Sequence, residues 1–173
     1  MVENIGHSFG VRGISAVMTG IMSKIQLCFL ALIARAVMAT IFWKSAMTKI
    51  AFNGEGLTEF SLAQIWHTLT LNWTVADSTY MLFEYEYGLP VIPFTWAANM
   101  AVAAEIILPI ALVLGLFTRY AALAMLGMTA VIQIFVYPEL WTVHGLWAIA
   151  LLAIMSVGGG RLSVDHLICK KGL

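Results

Sequence analysis

The sequence predicts an all-α membrane protein, a four-helix bundle with short helices in an outer-face segment between spans one and two. Three observations predict it. The chain of 173 residues is 61% hydrophobic and only 10% charged, where soluble domains carry about 25% charge, and its mean hydropathy is +0.92. Four apolar runs have the length needed to cross a hydrocarbon core of about 30 Å, which takes about 20 helical residues. The basic residues outside those runs fall on one side of the expected membrane. Lys and Arg together number 9, balanced by 9 Asp and Glu, so the chain lacks the basic footprint of a nucleic-acid-binding protein.

Residues 1–24 mix Glu3, His7, Arg12 and Lys24 with Gly, Ser, Met and Ile. The apolar run after Lys24 is too long for the core of a cleaved secretory signal, so residues 1–24 are expected to be a cytoplasmic tail. The first span, about 25–46, carries Arg35 in its interior and ends near Lys44 and Lys49, long side chains that reach headgroups. Arg35, Phe42 and Lys49 are spaced by seven and share one helix face. Residues 53–93 hold Glu55, Glu59, Asp77, Glu84 and Glu86, no Lys or Arg, and the aromatics Trp66, Trp73, Tyr80, Tyr85 and Tyr87. Aromatic rings with polar tips favour the lipid–water boundary. This segment reads as an outer cap, with short helices over Leu62–Leu71 and Ser78–Tyr87, the second capped by Asp77 or Ser78.

The second span, 97–117, is alanine-rich in its first half, which permits close helix approach in lipid. It carries Glu105, and Pro109 one turn later removes a backbone donor and is expected to bend it. The third span, 119–136, has Gln133 as its strongly polar interior residue; Tyr137-Pro138-Glu139 ends it. The fourth, 141–157, places His144 between Trp141 and Trp147, and Gly158-Gly159-Gly160 ends it. A short tail, 168–173, closes the chain. Arg12, Lys24, Arg119, Arg161, Lys170 and Lys171 then lie on one side, so the positive-inside rule puts both termini in the cytoplasm and the acidic segment outside.

Several groups carry potential chemistry. A charge in hydrocarbon costs roughly 3 kcal/mol on insertion scales, so Glu105 must be paired, protonated or functional. Helix rise places Arg35 and Glu105 at roughly 14 and 18 Å from the cytoplasmic ends of their spans, and an Arg35–Glu105 pair is expected. It reads either as a lock between spans one and two or as a proton or quinone-headgroup site. His144, Trp147, Gln133 and Lys44 form an outer-leaflet group by depth, which reads either as suited to a quinone carbonyl or as an interfacial histidine at headgroup level; a lone histidine makes a poor metal site, and no metal site is expected. Glu84 and Glu86 either attract a cation or a basic partner, or form a solvated face. Arg119, Asp165 and Arg161 are expected to anchor the cytoplasmic face. Cys28 and Cys169 form no C-x-x-C pair, which argues against a redox dithiol. The 10 Met residues are scattered through the spans, which favours packing over copper capture.

Five segments carry a family resemblance. Arg35 followed by IFWKSAMTKI, then AAEIILPIALVLGLFTRYAAL, then GGGRLSVDHL resemble the successive signatures of the DoxX family of four-helix membrane proteins. FEYEYGLPVIP and QIFVYPELWTVHGLW are similar to its proteobacterial branch. The resemblance runs from about Arg35 to Leu167. It implies a bacterial inner-membrane protein acting with quinone or a redox partner, since relatives accompany a terminal quinol oxidase or form the membrane subunit of thiosulfate:quinone oxidoreductase. Other relatives support thiol chemistry. On this reading Arg35 and Glu105 are the candidate catalytic pair, and His144, Trp147, Gln133 and Lys44 the candidate quinone-binding group. The partners are the bilayer and other membrane or periplasmic subunits. The alternatives are a non-catalytic anchor or assembly subunit, and a small carrier for a metal or thiol compound.

Overall fold

The computed structural model describes residues 27–52, 55, 56, 66, 68–70 and 73–171. Four long helices dominate: α1 (Leu27–Met47), α3 (Phe94–Leu114), α4 (Thr118–Val131) and α5 (Trp141–Val157). A π-helical segment, Ile132–Val136, extends α4, and a 3-10 turn, Pro138–Leu140, leads into α5. A short helix, α2 (Asp77–Met81), continues as a π-helical segment to Tyr87 and stops at Gly88 with φ 50°. A final helix, α6, covers Val164–Lys171. The expected tail 1–24 lies outside the described residues. So does most of the expected helix 62–71, of which Trp66, Thr68 and Leu69 are described as helical.

The long helices form a closed ring. α1 packs on α3 and α5, and α4 packs on α3 and α5. Their core is Met38 and Phe42 of α1, Leu112 of α3, Ala121, Ala122 and Met125 of α4, and Leu151 and Ile154 of α5. Within the apolar windows of the four spans, only 17 to 39% of residues are buried. Apolar side chains such as Ile33, Ile107, Leu123 and Ile149 point outward. A helix apolar on all sides belongs in lipid, so the chain is a multi-pass membrane protein.

A small sheet joins the bundle to the segment between α1 and α3. The central strand β1 (Ile50–Phe52) pairs antiparallel with β2 (Glu55–Gly56) on one edge and β3 (Thr74–Val75) on the other. Strands of two or three residues are too short for an alternating pattern to register, and the sequence reading contains only helices there. The Lys49 carbonyl accepts hydrogen bonds from Ala76 N at 3.0 Å and Thr79 Oγ1 at 2.9 Å. The sheet and α2 thereby hold the end of α1 in place.

The opposite end of the bundle is tied by Arg35 and Asp165. α3 ends in a Schellman motif: Leu116 N donates to Ala111 O, and Gly115 N donates to Leu112 O. Gly115 sits at φ 69°, and a Cβ there would lie 2.4 Å from Ser163 Cβ, so glycine is required. The carbonyls that a helix end leaves without partners are met by Arg35. Its Nε donates to Leu112 O at 2.7 Å and its Nη2 to Val113 O at 2.7 Å. Its Nη1 donates to Gly159 O at 2.7 Å and Leu162 O at 3.1 Å. Asp165 does the same for the donors at the start of α4. Its Oδ1 accepts from Phe117 N at 2.7 Å, and its Oδ2 accepts from Thr118 N at 2.9 Å and Thr118 Oγ1 at 2.7 Å.

Burial pushes the Asp165 carboxyl up, but the hydrogen bonds from Thr118 and Phe117 and the charge of Arg35 outweigh it, and the net shift is downward. A carboxylate with a depressed pKa stabilises the fold fully above its unfolded value, and that stabilisation is lost as pH falls through the folded value. Asp165→Asn is therefore expected to lower the melting temperature in detergent at pH 7. The gap to the wild type should shrink as pH falls below about 4, the range where unfolded aspartate titrates. A gap independent of pH would show that the charge of Asp165 contributes nothing.

Candidate functional site

The expected Arg35–Glu105 pair does not form. The Arg35 guanidinium is spent on four backbone carbonyls at one end of the bundle, whereas Glu105 binds Lys49. The reason is directional. In a helix each Cα–Cβ bond tilts toward the N-terminus, and α1 and α3 run antiparallel. Arg35 therefore reaches toward the start of α1 and Glu105 toward the start of α3, so two residues at similar depth diverge.

Lys49 Nζ lies 3.1 Å from Glu105 Oε1 and 3.0 Å from Oε2. It also donates to Ser45 Oγ at 2.6 Å and Ser45 O at 3.2 Å. Ser45 Oγ donates to Glu105 Oε1 at 3.1 Å. The side chains of Lys49 and Glu105 are only 8% and 5% exposed, so this cluster is a desolvated ion pair. Such a pair repays its desolvation only when its remaining donors and acceptors are also satisfied, which is what Ser45 contributes. Residue 109 is proline and has no N–H for the Glu105 carbonyl of the same helix.

This cluster borders a cavity of about 540 Å³ between α1, α3, α4 and α5, within the roughly 300–1,000 Å³ typical of small-molecule sites. Ala97, Ala101 and Ala104 of α3 line it, so these small residues open space as well as permit close packing. Phe42, Phe83, Tyr87 and Trp147 bring aromatic rings to its lining. His144 lines the same cavity. Its ring stands 5.1 Å from that of Trp147, and Trp147 in turn lies 6.0 Å from Phe42.

The histidine is held by Gln133. Gln133 Nε2 donates to Pro138 O at 2.7 Å, which leaves Gln133 Oε1 to face His144 Nδ1 at 2.7 Å. An amide oxygen only accepts, so Nδ1 carries the proton, and Nε2 of the neutral ring is an acceptor. Gln133 thus sets the tautomer from behind and is not part of the lining. Lys44 is exposed and does not line the cavity. It precedes Lys49 by five positions, a rotation of about 140° around the helix.

Tyr87 and Tyr137 line the cavity at the α2 side, with ring centroids 6.1 Å apart, edge to face. Tyr137 donates to Glu86. Burial, followed by the charges of Tyr137, Glu105 and Glu86, pushes the Tyr87 hydroxyl above its ordinary value. The hydrogen bond to Glu86 does most to raise Tyr137. Both phenols remain protonated at neutral pH. Sequence reasoning missed Lys49, Ser45, Tyr87 and Tyr137 as members of the site. For Lys49 the signal was present, since it shares the face of Arg35 and Phe42; for the tyrosines only the fold brings α2 over the cavity. Among the described residues no group of three or more His, Cys, Asp or Glu side chains comes together as a metal site would require.

Breaking a buried ion pair costs about 3–5 kcal/mol, whereas replacing both partners with apolar groups is often neutral or better. Lys49→Met and Glu105→Leu are each expected to lower the melting temperature in detergent sharply, and the double variant to recover most of the loss. Additive losses in that double-mutant cycle would contradict the pairing.

No curated protein and no solved structure matches the chain. The family model described as DoxX matches residues 30–138. That span takes in α1, the small sheet, α2, α3 and α4, and with them Lys49, Glu105, Tyr87 and Tyr137. The four long apolar helices and this match over more than half of the sequence lead to one assignment: the chain belongs to the DoxX family.

Proposed function

We propose that this protein is a quinone-binding membrane subunit of a redox system. The cavity carries the reading: it is apolar and aromatic along most of its wall, lies within the spans, and presents polar groups in a few places only. That is the lining expected for a lipid-soluble ring with polar oxygens. The donor set fits such a ring. Glu105 offers carboxylate oxygens, and with Nδ1 turned to Gln133 the free ring nitrogen of His144 is Nε2, so both can accept hydrogen bonds from the hydroxyls of a quinol. Tyr87 and Tyr137 are donors to the carbonyls of a quinone. When bound, the quinone supplies the capacity to carry two electrons and two protons. The chain supplies the rest: Phe42 and Trp147 position the ring, Gln133 holds His144 in one tautomer, and Glu105 and His144 take or give protons. Electrons pass to or from a partner subunit.

Purified protein should quench its tryptophan fluorescence on addition of a short-chain quinone. His144→Phe and Ala101→Phe, which remove an acceptor and fill the cavity, are each expected to weaken binding by about tenfold, the worth of one good polar or packing contact. Wild-type affinity in Ala101→Phe would sink the assignment of the ring to this cavity. The second reading, a non-catalytic anchor, is favoured by Glu84 and Tyr85, which stand exposed on the cap, Tyr85 at 80%. It would be the outcome if no quinone binds while the protein holds a soluble partner in a stable complex.

We assign the protein to a bacterial inner membrane with both termini cytoplasmic. Arg119, Arg161 and Lys170 cluster at the Arg35 end of the bundle, and Asp77, Glu84, Glu86 and Glu139 at the other, the asymmetry that the positive-inside rule reads. A cysteine introduced at Glu84 should react with a membrane-impermeant maleimide in intact cells, and one at Arg161 only after lysis. The reverse pattern would invert the topology.

A further inference from the structure

At the basic end lies a second cavity, of about 640 Å³, which the quinone reading does not use. Its wall is the glycine turn 158–160 after α5, the α3–α4 turn, and α6. Arg119, Arg161 and His166 line it. The backbone is shaped to admit a guanidinium: Gly158 has φ 78°, and a Cβ there would stand 3.2 Å from Arg119 Nε. Among the described residues Arg119 donates one bond, from Nη2 to Ser156 O at 3.3 Å, and the guanidinium carries five donors in all.

Among the described residues lining the cavity, Asp165 is the carboxylate, and its oxygens are engaged by the start of α4. Arg119 and Arg161 against Asp165 leave the described lining of the cavity with a net positive charge. It also lies at the edge of the lipid. The starts of α1 and α4 and the ends of α3 and α5 share this level. Phe117 and Tyr120, also in the lining, are 66% and 72% exposed, as aromatic residues at the bilayer interface are. Leu167 and Ile168 of α6 expose apolar surface beside exposed Lys170, the composition of a helix lying in the headgroup plane.

We propose that this cavity is a binding site for the phosphate headgroup of an anionic phospholipid, gripped by Arg119 and Arg161, with the acyl chains against Phe117, Tyr120 and Ile168. A basic pocket between helix ends is the recognised setting for such headgroups. The mixed lining separates a lipid from a free phosphate: a soluble anion would leave the exposed aromatic and aliphatic side chains unused.

The test uses the full chain in neutral detergent, with phosphatidylglycerol or phosphatidylcholine added and bound lipid counted by native mass spectrometry. The wild type should retain phosphatidylglycerol over phosphatidylcholine by up to about thirtyfold, the scale set by two basic residues at a membrane surface. Arg161→Gln, an exposed position, should reduce that preference, and the double variant Arg119→Gln, Arg161→Gln should abolish it. Lys44→Gln, at the other end of the bundle, should leave it intact. The proposal fails if the wild type shows no preference, if Arg161→Gln keeps it in full, if Lys44→Gln loses it equally, or if millimolar inorganic phosphate displaces the lipid.

Discussion

A charge placed among lipid-facing helices must be answered from within the protein, and this constraint organises the whole chain. Within the described long helices, Arg35 and Glu105 are buried charges. Arg35 is answered by backbone carbonyls at one end, Glu105 by Lys49 nearer the other. Each answer recruits a different part of the sequence. Arg35 draws the end of α3 and the turn before α6 onto α1. Glu105 draws on Lys49, whose backbone the sheet and α2 hold. If either charge were left bare, its desolvation would exceed what helix packing in lipid returns, since lipid tails compete with apolar side chains on nearly equal terms.

The two answers differ in what they leave over. Around Arg35 four donors are met by carbonyls and the backbone packs closely: Gly115 and Gly159 have no room for a Cβ beside Ser163. That end is a fastening. Around Glu105 the ion pair is complete but the space is not, because alanines rather than larger residues face it from α3. The carboxylate keeps unused acceptor capacity next to an apolar cavity, and His144 adds another acceptor on the far wall. Gly115, Gly159, Thr118 and Asp165 belong to the fastening, while the residues around Glu105 and the end of α1 border the cavity.

Charge also sorts along the bundle axis. The basic end carries Arg119, Arg161 and Lys170 around an open cavity, and the acidic end carries Glu84, Glu86 and Asp77 on the cap. The quinone reading uses the interior, the lipid reading uses the basic end, and the anchor reading uses the acidic cap. These are separate stretches of the molecule with separate physical requirements: desolvated polarity, interfacial cation density and exposed acid.

The sequence by itself determined the number of spans, their order, and the polar residues that had to matter. Runs of apolar residues near 20 long have one solution in a bilayer, and Tyr137-Pro138-Glu139 and Gly158-Gly159-Gly160 mark where two of them end. It also grouped His144, Gln133 and Trp147, because helix rise turns residue number into depth. Only the tertiary structure decided who pairs with whom. Depth along an axis says nothing about the direction in which a side chain leaves its helix, so Arg35 and Glu105 appeared matched although their side chains point to opposite ends. Lys49 sits past the last turn of α1, where a sequence reading finds a headgroup anchor; the adjoining strand β1 turns it inward instead. Tyr87 and Tyr137 join the cavity through contacts between segments 50 residues apart, and no local pattern encodes such a meeting.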